Sequence, residues 1–156
     1  WGRCVMATVI RGDDNFDSAD AGKVLQVVEA QAQSSSFQAS MSFADVTGTS
    51  ISITPSSSSS KILIMWNAGG MGDATNNSIR FKIFRDSTEV RSIPRYGYSG
   101  AQWDACPIAI QYLDAPATTA SVTYKLQCAT ENNGDFRIND TPSTDSMVVI
   151  AMEIGG

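Results

Sequence analysis

Histidine is missing from this sequence of 156 residues, and its absence removes much hydrolytic chemistry. A serine or cysteine nucleophile ordinarily needs an imidazole to take its proton, and mixed-ligand zinc sites use the same ring. The three cysteines, Cys4, Cys106 and Cys128, lack the short paired spacing of a thiolate zinc site. Their odd number and wide spacing also argue against a disulfide framework; one bridge is the most the chain could close, and whether Cys106 and Cys128 pair is open. Cys128 stands on the apolar side of an alternating segment, where a buried free thiol is expected.

Carboxylates are the remaining acid–base groups. A pair flanking a sugar bond could cleave glycosides, but the four glutamates, Glu29, Glu89, Glu131 and Glu153, sit in no recognisable motif. Asp13, Asn15 and Asp17 have the alternate spacing of a calcium loop. Ser18 stands where that loop needs glycine, however, and Val24 where it needs a bidentate glutamate. The run Ala68-Gly-Gly-Met-Gly72 lacks the Lys-Ser/Thr ending and following helix of a phosphate loop, so it reads as a turn. The expectation is a non-enzymatic chain with no catalytic residues, no metal and no cofactor.

One segment has the make-up of a binding loop. Residues 93–104 place Arg95, Tyr96, Tyr98 and Trp103 among glycine and serine with no strand pattern. Rigid aromatics bring contact area while small residues adapt. A sugar ring stacked on Trp103 or Tyr96 is one use; covering the end of the domain or meeting a neighbouring subunit is the other.

Charge narrows the partners. The net charge is −5, with 11 basic against 16 acidic residues, and the basic residues are scattered. Duplex nucleic acid needs a clustered basic footprint, so it is not an expected partner, and neither is an anionic membrane surface. The longest apolar run, residues 62–66, is strand-sized and far short of the roughly 20 residues that span a bilayer.

The elements that would position these groups are short and alternating. Residues 24–28, 42–46, 50–54, 61–66, 78–83, 107–113, 121–128, 136–138 and 147–154 read as about nine strands. No helical stripe runs over a useful length. Such spacing predicts an antiparallel sandwich or barrel over residues 23–156. The serine run 56–60 reads as a polar hairpin loop within it. Residues 1–22 read as an extended, acidic arm, in which Arg11, Asp13, Asp14, Phe16 and Asp17 are candidate attachment residues for a basic partner. The segment 62–66 is apolar on both faces, and residues 148–152 largely so. A two-layer sandwich covers only one face of each sheet, so either a third layer of the fold buries these strands or Leu63, Met65 and Trp66 are candidates for an oligomer interface.

Several phrases in order resemble a module common in virion proteins of tailed bacteriophages. They are the opening Ile10-Arg-Gly-Asp-Asp-Asn-Phe-Asp17, then Gly22-Lys-Val-Leu-Gln-Val-Val28, Ser42-Phe-Ala-Asp-Val-Thr-Gly48, Ile51-Ser-Ile-Thr-Pro-Ser56 and Ser60-Lys-Ile-Leu-Ile64. Phe84-Arg-Asp-Ser87, Leu113-Asp-Ala-Pro-Ala-Thr-Thr119, Thr123-Tyr-Lys-Leu126 and Ala151-Met-Glu-Ile154 continue the series. The resemblance implies a jelly-roll-like, trimeric β-sandwich on the virion surface, assembled in the host-cell cytoplasm. Its role would be to decorate or cement the particle, held to other capsid or tail proteins by the arm. The alternatives are a tail-fibre knob that recognises host-surface glycan and a glycan-cleaving enzyme. The resemblance carries no catalytic motif.

Overall fold

A computed structural model of the chain describes residues 21–32, 36–38, 40–72, 77–100, 104–132, 134–139 and 147–156. Among these are thirteen strands. In chain order they are β1 (Val24–Ala32), β2 (Ser36–Gln38), β3 (Ala44–Asp45), β4 (Ile51–Ile53), β5 (Lys61–Ala68) and β6 (Gly70–Gly72). Then come β7 (Asn77–Arg85), β8 (Thr88–Ser99), β9 (Asp104–Ala105), β10 (Ile108–Asp114), β11 (Val122–Thr130), β12 (Phe136–Ile138) and β13 (Met147–Ile154).

Two sheets face each other, and every strand pair is antiparallel. The first has the order β1-β13-β5-β10, and the second β3-β11-β7-β8, with β4 also paired to β11. A small third sheet has the order β2-β12-β6-β9. Period-two alternation fills the space between the two large sheets. Ile62, Ile64 and Trp66 from β5, with Val149 and Ala151 from β13, join Ile79, Phe81, Ile83, Val122, Tyr124, Leu126 and Cys128 from the opposite sheet in one core cluster. The protein is an all-β, jelly-roll-like antiparallel sandwich, as the segment spacing and the resemblance led us to expect.

Three polar brackets tie one layer to the other, because a polar group taken out of water must find a partner. Asp114 on β10 accepts hydrogen bonds from the Tyr124 hydroxyl on β11 at 2.7 Å and from Arg85 on β7 at 2.7 Å. The Trp66 indole on β5 donates to the Thr49 carbonyl at 2.9 Å, while the Thr49 hydroxyl accepts from the Leu126 amide at 3.1 Å. Glu153 on β13 is only 1% exposed and accepts from the Ser56 amide at 2.7 Å and the Ser56 hydroxyl at 2.6 Å.

Four expectations change. Nine strands become thirteen because β2, β6, β8 and β9 carry no readable alternation. The serine run 56–60 is no hairpin: β4 pairs with β11 while β5 pairs with β13 and β10, so the run crosses from one sheet to the other. The glycine-rich turn expected at residues 68–72 is instead the end of β5 and all of β6, which β12 and β9 hold by main-chain bonds that need no side chains. The expected loop 93–104 is mostly β8, zipped along β7 by the two-residue turn at Asp86 and Ser87. Asp86 takes the left-handed φ of 54° there and is braced against Thr123, whose carbonyl accepts from its amide at 2.7 Å.

Candidate functional site

The two large sheets have very different outer faces. On the β1-β13-β5-β10 sheet, the register lines up Val27, Met152, Leu63 and Leu113 straight across four strands. The next row holds Glu29, Ile150, Met65 and Gln111, and Val148 and Ile154 extend the apolar strip along β13. Val27 is 57% exposed and Leu113 is 49% exposed, while Leu63, Met65, Ile150 and Met152 are partly covered by one another. The second sheet turns Arg80, Lys82, Phe84, Lys125 and Gln127 outward. Two of its charges are paired, Lys82 with Glu89 at 2.6 Å and Lys125 with Asp45 at 2.7 Å, and Lys82 lies 4.6 Å above the Phe43 ring. Lys125 beside Asp45 holds that carboxyl below its usual range. One face is built for water; the other is not.

Of the interface candidates, Leu63 and Met65 do lie on the outward apolar strip. Trp66 does not. It is fully buried, because alternation along β5 places it with Ile62 and Ile64 on the inner side.

A second feature lies along β8. Arg80 alone on β7 stands opposite residues 94–96 of β8, between the pairs Ile79 with Gly97 and Phe81 with Ile93. Pro94 cannot donate to a ladder, which favours such a bulge, and Arg95 absorbs the turn with a φ of 51°. The bulge aims Tyr96 inward, edge-on to Phe81 at 5.4 Å between ring centroids. The Tyr96 hydroxyl accepts from the Ala109 amide at 2.6 Å and donates to the Pro107 carbonyl at 3.3 Å. Gly97 leaves room for the Cys106 side chain, since a Cβ there would stand 2.1 Å from the Cys106 sulfur and force it to shift. Tyr98 follows with its ring 62% exposed.

These residues border an open cleft of about 520 Å³ that Ser78, Glu131 and Asn132 complete. Glu131 accepts from the Ser78 hydroxyl and from Arg95 at 3.1 Å. Those two bonds hold its carboxyl below the usual range, so it is charged at neutral pH. Arg95, Tyr96 and Tyr98 therefore do come together, on a bulged strand and not on a loop. Ser78, Glu131 and Asn132 were not anticipated, since only the pairing of β7 with β8 and β11 brings them there. Trp103 and the arm residues Arg11, Asp13, Asp14, Phe16 and Asp17 lie outside the described residues.

Among the described residues, the remaining reactive groups do not converge on a catalytic centre. Glu29 accepts from Gln31, Glu89 pairs with Lys82, Glu131 lines the cleft and Glu153 is sealed in the interior. Cys106 and Cys128 are not joined by a disulfide, and burial pushes the Cys128 thiol up to about 12.

No protein-family model matches the chain, and no curated protein matches it. Solved structures do. The T13 particle of infectious bursal disease virus is similar at 10% identity with a TM-score of 0.50, covering 96% of this chain and 40% of that one. The VP2 subviral particle of the same virus is similar at 13% identity with a TM-score of 0.48, covering 96% of this chain and 42% of that one. The chain thus spans well under half the length of these viral proteins. At this identity the likeness to the T13 particle speaks for the shared sandwich fold alone.

Proposed function

We propose that this protein is a non-enzymatic structural component of a virus particle that assembles with copies of itself through the outer face of the β1-β13-β5-β10 sheet. The observation that carries this is the apolar row Val27, Met152, Leu63 and Leu113, exposed on a sandwich whose other outer face is charged. A four-strand face presents on the order of 500 Å² per copy, a substantial part of the ~800 Å² per partner of a standard interface. Glu29 and Lys61 lie at different margins of the face, so a second copy also offers each a partner of opposite sign. The sequence resemblance implies that the particle is that of a tailed bacteriophage, that the assembly is a trimer, and that the role is decoration or cementing through residues 1–22. The sandwich fold shared with the T13 particle of infectious bursal disease virus fits that reading.

Light scattering on the purified chain tests the assembly. A trimer mass is expected for the wild type and a folded monomer for Leu113→Glu and Leu63→Glu. A wild type that stays monomeric at tens of micromolar rejects it. Particles that lose the protein should break at lower temperature or lower salt, and unchanged particles reject cementing. Removing residues 1–22 should release the protein from particles while leaving its β spectrum intact.

The alternative, a fibre knob that recognises host-surface glycan, is favoured by one specific observation: Arg95, Tyr96 and Tyr98 line a single cleft.

A further inference from the structure

Four features meet at the cleft over β8. The strand is bulged where it borders the cleft, a device concentrated at functional sites. Arg95 holds a left-handed backbone there, a local strain that persists only where surrounding structure enforces it. Tyr98 is a large aromatic residue left 62% exposed at the cleft's border. The volume of about 520 Å³ lies within the roughly 300–1,000 Å³ of small-molecule sites.

The lining also specifies the ligand's chemistry. Its two charged lining groups, Arg95 and Glu131, are paired with each other, so the lining itself has little net charge with which to attract an ion, while Arg80 acts on Glu131 from beside the Thr130 carbonyl. What it does offer is directional: a guanidinium that only donates, a carboxylate that only accepts, and the Asn132 side chain, whose amide does both. Adjacent hydroxyls on a sugar ring, each donor and acceptor at once, complement such a set. An exposed tyrosine face attracts the slightly positive C–H hydrogens of a pyranose ring. We propose that this cleft binds a neutral hexopyranose, stacked on Tyr98 and hydrogen-bonded through the Arg95–Glu131 pair and Asn132. The proposal rests on the knob reading and sharpens it, because acidic sugars are excluded from the expected ligands.

The test is saturation-transfer NMR on the full chain with methyl glycosides of glucose, galactose, mannose and N-acetylglucosamine, beside sialic acid and glucuronic acid at the same millimolar concentrations. Transfer to the ring hydrogens of at least one neutral glycoside is expected. Tyr98→Ala and Glu131→Gln should each weaken that ligand at least tenfold, and raising salt to 0.5 M should change its affinity less than twofold. Tyr98 is on the surface, so its variant should keep the wild-type melting temperature, which is measured alongside. Binding of acidic sugars alone overturns the neutral class but leaves the knob reading standing. Silence from every saccharide overturns both. Neutral binding that both variants retain places the sugar elsewhere and overturns the site.

Discussion

Two opposing effects act on the Glu153 carboxyl. Burial works to raise it, but hydrogen bonding from the serine run, led by the Ser56 hydroxyl and including the Ser56 and Ser57 amides, together outweighs burial and leaves it below its ordinary value. A depressed folded value means that the group stabilises the fold above its unfolded pKa of about 4.3, and that the contribution fades as pH falls through the folded value. Acid unfolding followed by circular dichroism should therefore steepen below about pH 4. Glu153→Gln should flatten that part of the profile, at a cost of about 1–3 kcal/mol at pH 7 for the weakened bonds to Ser56. Tyr124 has the opposite bias: burial and then Asp114 push its phenol far up, so it remains a donor at any working pH. Gly97 gives a sharper test. Gly97→Ala drives a methyl group to 2.1 Å from the Cys106 sulfur, and overpacking of this kind costs about 1–3 kcal/mol. Adding Cys106→Ala removes the obstructing atom, so the double variant should recover most of the loss in denaturant titrations. A merely additive pair would place the strain elsewhere.

Among the elements, β11 and β8 are opposite cases. Val122, Tyr124, Leu126 and Cys128 alternate without interruption, and they fall on the core face as that pattern requires. β8 is longer, at 12 residues, yet its alternation is broken by Pro94, the bulge and Gly97. Its strand character comes from β7, which supplies main-chain partners along almost its whole length. The tight turn that makes this pairing possible is the weak point to probe. Asp86 both tolerates a φ of 54° and accepts from the Thr123 amide at 2.9 Å through its side chain. Asp86→Asn should be mildest, Asp86→Gly should lose the side-chain bond but keep the backbone freedom, and Asp86→Ala should lose both, about 1–2 kcal/mol in thermal melts. If alanine proves milder than glycine, the turn is not what holds the hairpin.

Across the whole molecule, the contrast between a solvated sheet and a greasy one is the basis of the proposed self-assembly, and mass action gives it a signature. Association that buries the Leu63 and Leu113 face should raise the melting temperature with protein concentration, and Leu113→Glu should abolish that dependence. A melting temperature independent of concentration in the wild type would mean that the face meets something other than its own kind. Much of this architecture was legible beforehand because burial leaves a period-two trace wherever a strand has one wet and one dry side. β4, β5, β7, β10, β11 and β13 carry that trace, and so does the doubled apolarity of β5 and β13. The absence of histidine removed imidazole-based chemistry by composition alone. Which residues share a row or a cleft was decided only in three dimensions. Trp66 and Met65 are neighbours in the chain, yet one lies in the core and the other on the outer face. Glu131 and Arg95 lie 36 positions apart and meet because long-range pairing sets their register. A linear pattern records how often a side chain meets water; which other side chain it meets depends on strand order, and strand order is set by the energy of the assembled sheets.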